Sequence, residues 1–319
     1  MAHVLLAGGA GFIGSHLTDR LLARGDTVVC VDDLSTGSRE HTKAHAKDAR
    51  YWFLDRDITL PGLAEAIGSD HFDVVMNLAS PASPPAYLAR PIATLEVGST
   101  GTQALLDIAV RDGARFFLAS TSEVYGDPLE HPQVESYWGN VNPVGERSVY
   151  DEAKRFAEAL TAAYGRVHGL QVRIARIFNT YGPRMQLDDG RVVTNLVHQA
   201  LTGEPLTIYG DGRQTRSFCY VDDEVTGLLA LLDGPIDTPV NIGNPNEVTM
   251  RELAALVLEL TGASSTVVHM PLPADDPRVR RPDISLARKV LGWDPAIDLR
   301  EGLTRTIAYH RAALTARTA

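Results

Sequence analysis

Along the first 180 positions, short uninterrupted apolar runs alternate with stretches whose apolar residues recur at helical spacing. Residues 3–7, 27–32, 51–54, 74–78, 115–120 and 172–177 are rich in Val, Ile, Leu and Phe, which predicts buried strands. Between most of them lie amphipathic stretches, 13–24 and 100–111 among them, that predict helices. Strand and helix in alternation predict an α/β fold, a Rossmann-type doubly wound parallel sheet. After Asn179 the rhythm changes. Pro183, Pro205, Gly210, Gly212, Pro235, Pro239 and Pro245 cut the chain into shorter elements, with one clear late helix over 250–260. The expected organisation is a domain over 1–180 and a smaller, irregular C-terminal lobe over 181–319, some of whose strands or helices can return to the first domain. No internal repeat or low-complexity segment interrupts this, and residues 81–85 read as a local proline turn.

A length of 319 residues allows one large or two moderate domains, and 44% hydrophobic with 22% charged residues describes a globular chain. The formal charge of −10 argues against nucleic acid or an anionic membrane as a partner, so any anionic ligand must be held by local groups. No apolar run approaches the ~20 residues of a bilayer span, and the apolar opening runs into glycines with no basic leader. A cytoplasmic address is the expectation. Cys30 and Cys219 stand far apart without a metal-binding spacing, and His41 and His45 lack a third ligand nearby, so neither a disulfide nor a metal is expected.

Gly8-Gly-Ala-Gly11-Phe-Ile-Gly14 follows the first predicted strand and opens a predicted helix. Glycines there permit a tight turn and let a pyrophosphate approach the backbone, while the helix N-terminus offers free N–H groups to the phosphates. The second strand ends in Asp32, eighteen residues after Gly14. A carboxylate at that point accepts from the ribose hydroxyls and repels a 2′-phosphate, which favours NAD over NADP. Arg39 is close enough in sequence to be a competing phosphate partner. Asp57 is read either as the partner of the adenine amino group or as a helix N-cap.

Tyr150 and Lys154 lie four apart on a helix predicted to run to about His168, hence on one face. An ammonium beside a phenol favours phenolate, making Tyr150 a usable base. The same spacing also describes an exposed surface pair. Against that stands the segment Ala119-Ser-Thr121-Ser122-Glu123, which ends the fifth strand at the sheet edge where ligands sit.

These residues resemble the extended short-chain dehydrogenase/reductase family in its nucleotide-sugar branch. Within it the chain is most similar to the UDP-glucuronate decarboxylases, or UDP-xylose synthases. The strings that carry the likeness are Leu78-Ala-Ser-Pro-Ala-Ser-Pro-Pro85, Ser120-Thr-Ser-Glu-Val-Tyr-Gly-Asp-Pro128, Arg176-Ile-Phe-Asn-Thr-Tyr-Gly-Pro-Arg-Met185, Asp189-Gly-Arg-Val-Val193, Gln214-Thr-Arg216 and Asp275-Asp-Pro-Arg-Val-Arg-Arg-Pro-Asp283. The resemblance implies a catalytic group of Thr121, Ser122, Glu123, Tyr150 and Lys154. It implies an NAD site of Gly8, Gly11, Phe12, Ile13, Gly14, Asp32, Asp57 and Ile58 with Tyr150 and Lys154. A UDP-sugar would meet Pro85, Tyr87, Asn179, Arg191, Val192, Tyr209, Arg216 and Arg280. The arginines also make independent sense, because a diphosphate and a carboxylate call for forked, permanent cations.

The implied reaction is oxidation at sugar C4, loss of CO2 from the resulting β-keto acid, protonation at C5 and return of the hydride. Glu123 is expected near C5, positioning water or moving a proton. UDP-glucuronate 4-epimerase is the alternative. A 4,6-dehydratase is disfavoured because Ser122 stands where such enzymes carry an acidic Asp, and a catalytically silent NAD-binding protein is disfavoured by the intact Thr121, Tyr150 and Lys154. One departure is Gly98, where the family commonly has an asparagine; Ser99 or a water is expected to compensate. The resemblance further implies a homodimer built on a four-helix bundle from helices over 100–111 and 150–168.

Overall fold

The computed structural model describes residues 1–68, 71–272 and 279–318. Six strands appear up to residue 177: β1 (His3–Ala7), β2 (Thr27–Asp32), β3 (Tyr51–Asp55), β4 (Val74–Asn77), β5 (Arg115–Thr121) and β6 (Val172–Ile177). They form one sheet with a seventh strand, Val240–Ile242, in the order Val240–Ile242, β6, β5, β4, β1, β2, β3, and every pairing is parallel. The order reverses between β1 and β4, the switch point of a doubly wound sheet.

The apolar runs are explained by two-sided burial. Along β1, Leu5 and Ala7 point into one core, with Val29, Val31, Leu105, Leu106 and Phe116, while Val4 and Leu6 point into the other. That second core holds Leu17, Leu21, Val28 and Cys30 together with residues of the second half, such as Leu228, Leu231 and Leu303. Each fully buried aliphatic or aromatic side chain contributes about 1.5–3 kcal/mol, so both helical layers are held to the sheet by the same strands. The chain after Asn179 is therefore not separate from the sheet. Val240 pairs with Ala175 and Ile242 with Ile177, and Val221–Asp233 forms a helix whose apolar face enters the shared core.

The remaining strands form three pairs: Thr180–Tyr181 with Cys219–Tyr220, Leu206–Tyr209 with Val267–Met270, and Thr215–Ser217 with Glu247–Thr249. The late helix runs over Met250–Thr261 and starts on a capping box, Thr249 with Glu252.

Several predicted boundaries shift by a residue or two, and two of the shifts have local reasons. The fourth strand stops at Asn77 rather than 78, because the Asn77 side-chain oxygen turns back to accept the Ala79 N–H at 3.2 Å. The helix expected over 100–111 runs over Thr102–Asp112 and is preceded by a wide π turn, Val97–Gly101, in which the Thr102 hydroxyl donates to the Val97 carbonyl at 3.2 Å. Among the described residues no helix is long and apolar enough to cross a membrane.

Candidate active site

A cavity of about 880 Å³ opens at the carboxyl ends of β1, β4, β5 and β6. Its walls include Gly8, Gly11, Phe12, Ile13 and Gly14 at one end, Thr121, Ser122, Glu123, Tyr150 and Lys154 in the middle, and Asn179, Arg191, Val192, Tyr209, Arg216 and Arg280 at the other. Pro85 and Tyr87 close one side. Residues as far apart in sequence as Gly8 and Arg280, 272 positions, are thus gathered on one sheet edge.

The glycine turn is built for close approach. A Cβ on Gly14 would lie 2.1 Å from the Gly8 carbonyl oxygen, and Gly8 itself has φ +81°. The helix Phe12–Ala23 that follows has no side-chain cap on Gly11, so its first N–H groups are left for a ligand in the cavity. Asp32 lies behind this turn, its two carboxylate oxygens accepting from the N–H groups of Leu34 and Ala10 at 2.9 Å each. Burial raises its pKa, those two N–H bonds oppose the rise, and each oxygen keeps a lone pair for a hydroxyl donor. Turn, uncapped helix and carboxylate together fit a dinucleotide with an unphosphorylated ribose. Arg39 is not turned to that site: it pairs with Asp55 and lies over the Phe53 ring at 5.7 Å. Asp57 accepts from the Thr59 N–H and hydroxyl at 2.8 and 2.7 Å in a local turn, and it is not a helix N-cap, since the next helix, Leu63–Ile67, starts on Gly62; Ile58 is buried against Gly101. His41 and His45 have different partners, Ala10 O and Asp19, and among the described residues no group of three or more side chains could hold a metal.

Tyr150 and Lys154 lie in the helix Ser148–His168 and are both buried. The Lys154 ammonium donates to the Ala119 carbonyl at 2.8 Å and sits 5.8 Å from the Tyr150 ring centre. Burial lowers its pKa to about 8 against the opposing charge of Glu158. Glu158 is itself tied to β5 and β6, accepting from Ser120 at 2.6 Å and from Arg176 at 2.8 Å, so the helix is pinned across both strands. The expected depression of the Tyr150 pKa is not found. Burial, then the Glu123 charge, raise it above the ordinary phenol value, and a hydrogen bond from Thr121 only partly offsets them. Without ligand Tyr150 therefore keeps its proton.

Glu123 reaches the cavity wall as expected, but in a clamp. Arg280 donates to both of its oxygens at 2.5 and 2.8 Å, and Arg147 donates at 2.9 Å. Burial pushes the carboxyl up, yet the two guanidinium charges outweigh it and hold Glu123 well below the usual carboxylate range. Arg280, expected to meet the ligand, lines the cavity and gives both terminal nitrogens to Glu123. Arg191 pairs with Asp189, Asn179 donates to the Ser217 carbonyl at 3.3 Å, and Tyr209 is exposed at the rim. Asp275–Arg278 of the last matched string lie outside the described residues.

Three residues of this site carry no expectation from sequence: Arg147, Asp151 and Glu158. Arg147 is three positions before Tyr150, so the helical spacing was a usable signal. Asp151 and Glu158 on a helix normally read as solvent-facing charges, and only the packing buries Asp151 and half-buries Glu158.

A Cβ on Gly98 would meet the Ala153 Cβ and carbonyl oxygen at 2.7 Å. Ser99 does not substitute for the missing asparagine, because its hydroxyl is turned back to donate to the Leu95 carbonyl at 2.7 Å. The position is closed to a side chain by backbone contact with the catalytic helix.

A family model described as "NAD dependent epimerase/dehydratase family" matches residues 4–243. The chain belongs to that family. Its members are NAD-dependent enzymes of the extended short-chain dehydrogenase/reductase type. UDP-glucuronic acid decarboxylase 2 of Arabidopsis thaliana is 53% identical over 300 residues, covering 94% of this chain and 66% of the relative, so the chain spans just under two thirds of that protein. UDP-glucuronic acid decarboxylase 1 of Xenopus tropicalis is 48% identical over 311 residues, 98% of this chain and 72% of the relative. Among solved structures, the UDP-glucose 4-epimerase of Thermotoga maritima, with UDP-glucose, matches at a TM-score of 0.90 and 32% identity, covering 98% of this chain and 99% of that one. The parallel seven-strand sheet and its edge cavity are the architecture of this family.

Proposed function

We propose that the protein converts UDP-glucuronate to UDP-xylose and CO2, with NAD reduced and reoxidised within each turnover. The observation that carries this reading is the level of likeness. Decarboxylase relatives are 48–54% identical over nearly the whole chain, against 32% for the epimerase structure of the same fold.

The residues supply the steps as follows. The uncapped start of the helix Phe12–Ala23 and the Asp32 carboxylate hold the dinucleotide, and Arg191, Arg216 and Asn179 at the far end hold the diphosphate. NAD, when bound, supplies the hydride acceptor for C4 and a positive charge in the cavity. Tyr150 takes the C4 hydroxyl proton once its own proton has been given up, with the Thr121 hydroxyl favouring its phenolate form and the Lys154 ammonium 5.8 Å from its ring centre. The same two oxygens, Tyr150 Oη and Thr121 Oγ1, then stabilise the enolate oxygen left when CO2 departs. Glu123 stays ionised and fixes Arg280 and Arg147 beside the sugar acid. Ser122, a poor acid near neutrality, offers no means of expelling a C6 hydroxyl, which argues against a dehydratase.

In this reading the residues up to 180 carry the cofactor and the catalytic group, and the lobe from 181 carries most of the UDP-sugar contacts. The working assembly is a homodimer. Ile92 and Leu95, on the helix Pro91–Glu96, and Phe156, on the helix Ser148–His168, leave 66%, 37% and 51% of their surface exposed. A four-helix bundle with a second copy would cover them, and the cytoplasm is the compartment assumed.

The deciding experiment is incubation of purified protein with UDP-glucuronate and separation of the nucleotide products by mass. UDP-xylose with CO2 and no net NADH is expected. UDP-galacturonate with its carboxylate retained, and no pentose, would instead establish the 4-epimerase.

A further inference from the structure

The segment 183–191 joins the strand Thr180–Tyr181 to the helix Val192–Thr202, and residues along it line the cavity. Its root is fixed to the phosphate-binding helix Phe12–Ala23: the His16 ring is bonded to the Pro183 carbonyl at 2.9 Å, and Arg184 pairs with Asp19 at 2.7 Å. Met185 is buried in the core. Beyond that root Gln186 is exposed, and its side-chain amide donates to the Thr36 carbonyl at 3.0 Å, across 150 positions of sequence. At the far end a Cβ on Gly190 would lie 2.5 Å from Pro85, so the segment also touches the helix Pro84–Ala89. It thus reaches from one wall of the cavity to another.

The bond to Thr36 falls at the ribose end of the dinucleotide site. The loop after β2 curls round the Asp32 carboxylate: Leu34 donates to it, and a Cβ on Gly37 would stand 2.8 Å from its Oδ1. Ser35 and Thr36 of this loop and Gln186 opposite all line the cavity. The Gln186–Thr36 bond therefore bridges the opening between the loop that wraps Asp32 and a segment anchored on the phosphate-binding helix. Arg184 adds a backbone signal. Its φ of +69° lies in a region that a residue with a side chain rarely holds unless its surroundings keep it there, and such outliers gather at ligand clamps.

We propose that residues 186–190 form a strap over the cofactor cleft, latched by Gln186 to Thr36, which sets how fast NAD enters and leaves. The inference goes beyond the reaction proposed above and holds whichever nucleotide sugar is converted. The latch is one exposed hydrogen bond, in competition with water, so it can open while Met185 and the Arg184–Asp19 pair keep the root in place.

The test follows exchange of the cofactor rather than turnover. Protein loaded with radiolabelled NAD and chased with unlabelled NAD gives the exit rate, and stripped protein mixed with NAD gives the entry rate. Gln186→Ala should speed exit by ~3–10-fold, the worth of one hydrogen bond, and should speed entry by a similar factor, because a gate obstructs both directions. Gln186→Glu keeps the volume but loses the donor, so it should match Gln186→Ala. Thr36→Cys with Gln186→Cys, joined by a short bis-maleimide, should retain NAD when joined loaded and admit little when joined empty; Cys30 and Cys219 are buried and do not compete. Unchanged exit and entry in both Gln186 variants overturn the proposal. So does faster exit with unchanged entry, which makes Gln186 a simple contact to NAD. Exchange through the joined strap as fast as in the unjoined double variant overturns it too, independently of how the single variants fold. No arm measures product, so failure of the decarboxylase reading leaves this test intact.

Discussion

Gly98 and Ala153 touch backbone to backbone: a Cβ on Gly98 would stand 2.7 Å from the Ala153 carbonyl oxygen. Ala153 lies on the helix between Tyr150 and Lys154, so this contact fixes the height of both groups above β5. Gly98→Asn should overpack the joint, costing about 1–3 kcal/mol or more. Because a 1 Å misplacement of a reacting group can cost ~100-fold, turnover should drop ~10–100-fold. Melting temperature and kcat measured on the purified variant check this, and no change in either would show that the joint has slack.

Tyr150→Phe removes the proton acceptor and almost no volume. The glycine turn and Asp32 are untouched, so NAD should be retained, while turnover falls by ~100-fold or more. Bound nucleotide and product formation give the two readouts. Near-native turnover would exclude Tyr150 as the base.

Glu123 has a folded-state pKa below its unfolded value of 4.5, owing to the Arg280 and Arg147 charges that outweigh its burial. A carboxyl depressed in this way stabilises the fold fully above about 4.5, and the stabilisation is lost as pH falls below that toward the folded-state value. Glu123→Gln leaves two guanidinium groups facing each other with side-chain exposures of only 8% and 15%. Removing one partner of such a buried cluster costs about 3–5 kcal/mol. Denaturant midpoints at neutral and acid pH should therefore differ strongly for native protein between those pH values and much less for the variant.

Asp32→Ala should narrow the preference for NAD over NADP, because the carboxylate that repels a 2′-phosphate is gone while Arg39 remains paired with Asp55. Titration of each nucleotide against native and variant protein tests it. Tighter NADP binding by the native chain would contradict the role given to Asp32.

For the assembly, Ile92→Glu with Phe156→Glu places charges on exposed apolar residues of the helix Pro91–Glu96, which runs without a break through the π turn into the bundle helix Thr102–Asp112, and of the bundle helix Ser148–His168. Sedimentation should show a dimer for native protein and a monomer for the double variant. A native monomer would remove the bundle from the account.

Much of the fold was legible from periodicity because parallel strands are apolar on both faces and the elements between them are not. The glycine turn, Asp32, Tyr150, Lys154 and Thr121 could also be found in advance, since each obeys a local rule: a tight turn, a strand end, a helical spacing of four. What periodicity could not supply were relationships across the chain. The clamp on Glu123 joins Arg147 to Arg280, 133 positions later. The seventh strand comes from residues beyond 239, and the burial of Asp151 depends on the packing of the helix Ser148–His168 against the elements carrying Tyr87 and Glu123.

The sequence by itself determined which chemical groups are present and, to within a residue or two, where the strands of the central sheet up to residue 177 lie, through side-chain volume, backbone freedom and spacing. Only the tertiary structure decided their charge states. Whether a carboxyl holds its proton depends on the solvent it loses and the charges it meets, which made Glu123 an anion, raised Asp151 to about 7 and kept the Tyr150 phenol protonated.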